Sequence, residues 1–286
     1  MTHSAPPRPE LLALLDAVKD HPDEDTPRLV LADWLDEQGD PLDAERAAFI
    51  REYIARAREI QTRRRTRVEA DAVWGRRWLG PTADLASHCY FERGLPVLSV
   101  NGPRLLKPDA PALLATEAFA FVQHVRLEEA GGPRMGAMAA LPAFRFVPGI
   151  SLYPFGSFSG GSAARFFASP HVTGLRKIVF RGVRPGAVGV QALADNPALG
   201  RLRTLALPHN RLIDKAVAAL AAGKHLTNLQ SLDLSDNNIG DTGAAALAAS
   251  AALANLRELD LRKNPRLTAR GKQLLLDRFG DRVKLD

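Results

Sequence analysis

The chain has 286 residues, 46% of them apolar and 24% charged, with a formal net charge of +6 and a single cysteine. That length and apolar share can bury a substantial core, and one cysteine, Cys89, excludes an intramolecular disulfide framework. No stretch approaches the roughly 20 apolar residues of a membrane span, and Met1 to Pro9 contains no apolar leader, so a cytoplasmic protein with no membrane role is expected.

Residues before about Pro81 read as helices. Glu10 to Lys19 carries apolar residues at 11, 12, 14, 15 and 18. Thr26-Pro27 supplies a cap and a first-turn proline for a helix through Glu37, Gly39-Asp40-Pro41 breaks it, and a longer helix runs from about Leu42 beyond Ile60. Charge divides sharply here: residues 1–45 hold 3 basic and 12 acidic side chains, whereas residues 46–80 hold 10 basic and 4 acidic. Leu29, Leu31, Ala32, Trp34 and Leu35 form one wide apolar surface, with Trp34 the expected anchor of the helix crossing, and Phe49, Ile50, Tyr53 and Ile54 form another. An ion-pair network of Asp25, Arg28, Asp33, Glu45 and Arg46 is expected to fix that crossing, and Val73, Trp74, Trp78 and Leu79 to form an apolar lid. The string from Asp25 to Asp40 (DTPRLVLADWLDEQGD), followed by Glu45-Arg46-Ala47-Ala48-Phe49-Ile50-Arg51, resembles the bacterial repeat-companion domain. That resemblance implies an architecture, a helical domain placed ahead of leucine-rich repeats, and no activity.

Downstream, apolar strings recur at nearly constant spacing. Leu202-x-x-Leu205-x-Leu207-x-x-Asn210 returns from Leu229 to Asn237 and from Leu256 to Asn264, a period of 27 residues. The same interval reaches back to Leu175, Ile178 and Phe180 and then, with slips of one or two residues, to Val147-Ile150-Leu152, Val122-Val125-Leu127 and Leu95-Leu98-Val100. Leu-x-Leu puts two side chains on one face of a short strand, and the Asn side chain can bond the backbone where the chain turns away. Between the strands, Ala187–Asp195, Ile213–Ala222, Asp241–Ser250 and Thr268–Phe279 have helical spacing, with Asp241 and Thr268 as expected caps. The expected fold is therefore α/β: a leucine-rich-repeat solenoid, strands concave and helices convex, of about seven repeats over residues 81–286, preceded by a small all-α capping domain over residues 1–80. Asn237 to Ala248, echoed by Leu212 to Leu220, resembles the ribonuclease-inhibitor-like class of these repeats. Ala130, Phe155 and Val183 stand where the Asn belongs in earlier repeats, and Val283 and Leu285 suggest a closing half-strand.

Constellations for catalysis are missing. The histidines at 3, 21, 88, 124, 171, 209 and 225 are scattered, no cysteine pair offers metal spacing, and Ser159-Gly160-Gly161-Ser162 lacks the lysine of a phosphate loop. Ser235-Asp236-Asn237-Asn238 with Asp241 reads as repeat turn chemistry rather than a calcium loop, and Cys89 beside Tyr90 and Phe91 as a buried inert thiol. Hence no enzyme, no cofactor and no metal are expected.

Two binding surfaces remain. In these repeats the residues between and just after the strand leucines face one way, which gives His124, Arg126, Glu128, Glu129, Tyr153, Lys177, Arg181, His209, Ser231, Asp233, Ser235, Asp236, Glu258, Asp260, Arg262 and Lys263. Basic and aromatic character lies centrally and acid dominates the last third, which suits a folded protein partner bound by a chain that is monomeric on its own. The alternative is nucleic-acid contact through Arg63, Arg64, Arg65, Arg67, Arg76 and Arg77, near Trp74 and Trp78. The acidic first block is an internal competitor for those arginines.

Overall fold

The computed structural model describes residues 7–60, 72–131, 133–153 and 160–286. Contacts divide the chain into two compact units, Met1–Arg126 and Leu127–Asp286, so that the division lies later than the change of sequence pattern near residue 80. The β3 strand, His124–Glu128, straddles that division.

In the first unit the helices α1 (Pro9–Asp20), α2 (Thr26–Glu37) and α3 (Pro41–Ile60) lie close to where the sequence places them, and a fourth helix, α4 (Ala72–Leu79), follows. Prolines occupy the first turn of α1 and α2, where a missing N–H costs nothing. Leu11, Leu15 and Val18 of α1, Leu31, Ala32 and Leu35 of α2, and Ala47, Ile50 and Ile54 of α3 share a core with Leu95 and Phe121. Trp34 is not the anchor of this core. It is half-buried at the edge, where the Arg8 guanidinium stands 4.9 Å from its ring, because Leu31, Ala32 and Leu35 take the inward positions of α2. The buried tryptophan is Trp78, 1% exposed, which lies outside this cluster and packs edge-on to Phe49 and Phe91 at 5.2 and 4.9 Å between centroids. The side chains of Val73 and Trp74 lie outside the described residues.

Among the described residues the expected network is dispersed: Asp25 meets Arg93 at 2.6 Å while also favouring the charge of Arg28, Asp33 meets Arg51 at 2.7 Å, and Glu45 meets Arg77. The buried arginines find different partners. Arg28 donates to the carbonyls of Glu24 at 2.8 Å and Arg93 at 3.0 Å, and burial, with Arg93 nearby, lowers its pKa to about 10. Arg46 bonds Asp43 at 3.0 Å and the Trp78 carbonyl at 2.7 Å and lies 4.3 Å from the centre of the Phe121 ring. Arg8 ties Asp43, at 2.7 Å, to Glu117, at 2.8 Å.

A hairpin also belongs to this unit. β1 (His88–Glu92) pairs antiparallel with β2 (Leu95–Asn101), Cys89 opposite Leu98, so the first apolar string opens in a hairpin. Arg93 and Gly94, at φ of 47° and 83°, make the two-residue turn, both left-handed as a right-twisted hairpin requires. A Cβ at Gly94 would also fall 3.1 Å from the Ile50 backbone. Cys89 is half-buried, and burial pushes its thiol up to about 12, which keeps it protonated and unreactive. Three short helices follow: α5 (Gly102–Leu105), α6 (Ala110–Leu114) and α7 (Glu117–Ala120).

The second unit alternates helix and strand: α8 (Pro133–Ala139), β4 (Gly149–Leu152), α9 (Gly160–Phe167), β5 (Lys177–Phe180), α10 (Gly186–Asp195), β6 (Thr204–Ala206), α11 (Asp214–Ala221), β7 (Ser231–Asp233), α12 (Asp241–Ala249), β8 (Glu258–Asp260), α13 (Ala269–Phe279) and β9 (Val283–Lys284). Each strand from β4 to β9 pairs parallel with the next, and β9 is the expected closing half-strand. Ile178, Leu205, Leu232 and Leu259 stand side by side, fully buried. Successive helices from α8 to α13 pack against one another in turn.

Polar side chains tie the repeats together. Asn237 donates to the carbonyls of Leu207 and Leu234, both at 2.9 Å, while its Oδ1 accepts from the N–H groups of Asn210 and Leu212 in the preceding repeat. Asn210 and Asn264 repeat the pattern one period away. The asparagine thus closes its own turn and also bonds its neighbour. Thr268 caps its own helix as expected, accepting from Arg270 N–H at 3.2 Å. Asp241 does not cap α12: its carboxylate reaches forward to accept from Thr268 N–H at 2.9 Å and Thr268 Oγ1 at 2.6 Å, and those bonds hold it below its ordinary pKa. A Cβ on Gly271 would stand 2.3 Å from that carboxylate, which requires glycine there.

Candidate functional site

The parallel register lines up the outward residues of the second unit in rows. One row is Lys177, Thr204, Ser231 and Glu258; the next is Val179, Ala206, Asp233, Asp260 and Lys284. The buried leucine row lies between them, so alternation along three-residue strands is enough to sort core from surface. Past the strands stand Arg181, Ser235 and Arg262, then Gly182, His209, Asp236 and Lys263. These last four all adopt left-handed φ, at 68°, 58°, 54° and 58°. Such a conformation costs a non-glycine residue on the order of 1 kcal/mol, and the asparagine that follows in three of these repeats holds the backbone there.

One chain of contacts crosses three repeats. Arg181 Nη2 lies 2.6 Å from His209 Nε2, and His209 Nδ1 lies 2.8 Å from Asp236 Oδ2. A guanidinium can only donate, so Nε2 is the accepting nitrogen and Nδ1 carries the proton toward Asp236. The imidazole is therefore a neutral bridge between a cation and an anion.

The acid of the last repeats is compensated locally. Glu258 pairs with Lys284 and Asp260 with Arg262. Asp260 is 9% exposed; burial would raise its pKa, but hydrogen bonds from the side chain and N–H of Arg262 outweigh this and hold it below the ordinary value. Asp233 accepts from Ser235 N–H at 2.8 Å. Lys177, by contrast, is exposed with no side-chain partner among the described residues.

Of the other candidates, Tyr153 is 39% exposed just after β4, and Glu128 lies in the second unit. His124 and Arg126 belong to the first unit, where the Arg126 guanidinium lies 5.8 Å from the centre of the Tyr90 ring. Arg63, Arg64, Arg65 and Arg67 lie outside the described residues. Arg76 and Arg77 are exposed but reach Asp84, at 3.6 Å, and Glu45. Two residues escaped the sequence reading, Arg184 and Arg211. Both follow the asparagine position of their repeats, one period apart, and both have left-handed φ, 53° and 56°. Their recurrence at 27 residues was a legible signal. Among the described residues no group of three or more His, Cys, Asp or Glu side chains is placed to hold a metal, and no helix is long and apolar enough to cross a membrane.

A mixed α/β unit in which parallel strands recur with a 27-residue leucine and asparagine pattern is the architecture of leucine-rich repeats. The family described as Leucine Rich repeat matches residues 225–248, which span the turn before β7, the strand and most of α12. The C-terminal part of the chain therefore carries leucine-rich repeats, in general a protein-interaction module. No match to the chain is found among the curated proteins.

Proposed function

We propose that this chain is a non-enzymatic cytoplasmic recognition protein that binds a folded protein through the outward strand face of a leucine-rich solenoid. The N-terminal helices act in this reading as a repeat-companion cap, and the chain is a monomer until it meets its partner. The observation that carries it is the register: Lys177, Thr204, Ser231 and Glu258 in one row, and Val179, Ala206, Asp233 and Asp260 in the next, held rigid by buried leucines behind them and by the asparagine ladder at the turns. A stiff array of mixed side chains lowers the ordering cost of binding. Nucleic-acid contact through residues 63–77 is the weaker reading, since Arg76 and Arg77 already pair with carboxylates.

The test is affinity capture from the native cell followed by titration of the captured protein. Tyr153→Ala and Arg181→Ala are expected to weaken binding by more than about 1 kcal/mol each, because Tyr and Arg dominate binding hot spots. Arg278→Ala, on exposed α13, should leave it unchanged. A partner that binds all four proteins equally removes the strand face from the interface.

A further inference from the structure

The net charge of the strand face is not what its residue types suggest. Two of its acids have cationic partners: Glu258 has Lys284 and Asp260 has Arg262. Three central cations differ. Lys177, Arg184 and Arg211 are exposed and make no side-chain hydrogen bond or ion pair among the described residues. Arg181 and Arg184 leave the carboxyl end of β5, while His209 and Arg211 leave the carboxyl end of the adjacent strand β6.

Two further observations make this a built feature. Arg184 and Arg211 both occupy left-handed backbone, a conformation usually left to Gly or Asn, and each position is pinned: Arg184 N–H donates to Asn210 Oδ1 at 2.7 Å, and Leu212 N–H, next to Arg211, donates to Asn237 Oδ1 at 2.9 Å. The bond from Arg184 to Asn210 sets the two arginine turns side by side. Arg181, meanwhile, is held by His209 Nε2, so a third guanidinium is oriented before any ligand arrives.

We infer that β5 and β6, with the turns at their carboxyl ends, form a docking site for an acidic protein segment, with Lys177 on the strand face and Arg181, Arg184 and Arg211 in the turns receiving its carboxylates. This rests on the recognition reading above and names the partner's chemistry. Guanidinium forks suit carboxylates, which they bind with two parallel bonds. A phosphodiester strand fits less well. The four binding side chains include no ring on which to stack a base.

The experiment titrates the full chain with a fluorescent oligoglutamate peptide by anisotropy at two salt concentrations, beside a single-stranded oligonucleotide of equal charge. The wild type should bind the peptide, more weakly at the higher salt, and Arg184→Glu with Arg211→Glu should weaken it by about tenfold or more. Lys224→Glu, an exposed cation at the end of α11, should match the wild type. Circular dichroism of the double variant must match the wild type, and Arg184→Gln with Arg211→Gln gives a second, milder reading of the same loss. No peptide binding, or equal binding by the double variants and Lys224→Glu, overturns the site. Tighter binding of the oligonucleotide than of the peptide also overturns it and assigns the patch to nucleic acid. If instead the peptide result holds and a captured partner is weakened by Arg184→Glu with Arg211→Glu but ignores Tyr153→Ala, the broad strand-face reading fails and this site stands.

Discussion

The two units differ in the device that dominates among their buried polar groups, although the second also buries Arg176 and Asp260. In the repeats the device is neutral and periodic: an asparagine every 27 residues bonds carbonyls and N–H groups of its own turn and of the turn before it. The first unit relies on single buried charges, Arg28 on backbone carbonyls and Arg46 on Asp43 and the Trp78 carbonyl. A neutral amide fills its hydrogen-bonding capacity without the desolvation cost of an ion, so it can be repeated many times over. A buried guanidinium is tolerated only where acceptors converge, and Arg28 and Arg46 each meet a different, non-repeating set. Periodic solutions make a stiff surface that can be extended, and singular ones lock one particular crossing of helices.

The comparison can be broken by substitution. The largest effect is expected at Leu232, fully buried in the strand row, where Leu232→Ala should cost about 2–5 kcal/mol as a cavity. An unchanged urea midpoint would show that the repeats do not share a tight core. Asn237→Ala comes next, at about 2–4 kcal/mol, since it strands buried carbonyls and N–H groups in two repeats at once. If it costs no more than a surface substitution, water replaces the amide and the ladder is ornamental.

On the other side of the comparison, Arg28→Lys should cost about 1–3 kcal/mol although the charge is kept, because an ammonium cannot reach the Glu24 and Arg93 carbonyls with the same fork. Full stability of Arg28→Lys in chemical denaturation would make charge, not geometry, the requirement. The smallest effect is expected for Asp241→Asn and disappears in acid. Asp241 has a folded-state pKa depressed below 3.8 by its bonds to Thr268, so its contribution is present above that value and is lost as pH falls through the folded pKa. Denaturation midpoints of wild type and Asp241→Asn should therefore converge at low pH and differ near neutrality.

Much of the second unit was legible because its signal recurs. Leu205, Leu232 and Leu259 announce three strands, Asn210, Asn237 and Asn264 announce three turns, and the intervening alanine-rich stretches became α10 to α13 within a residue or two of their expected ends. Repetition averages out the ambiguity of any one short apolar string. The rows of outward residues follow from the same arithmetic, since strand alternation alone decides which side chains turn outward.

What the sequence determined by itself was local and periodic: the first three helices, the strands from β4 onward, the closing strand and the identity of the outward rows. Tertiary structure alone decided the rest. Only packing shows that Trp78 rather than Trp34 is the buried tryptophan, because helical spacing marks a wide apolar face without saying which part of it is covered. Only distance shows that Asp241 bonds the next repeat instead of its own helix, and that Glu258 and Asp260 are neutralised while Lys177, Arg184 and Arg211 are not. Charge can be counted along a chain, but its compensation depends on which side chains meet across repeats, and that is a property of three dimensions.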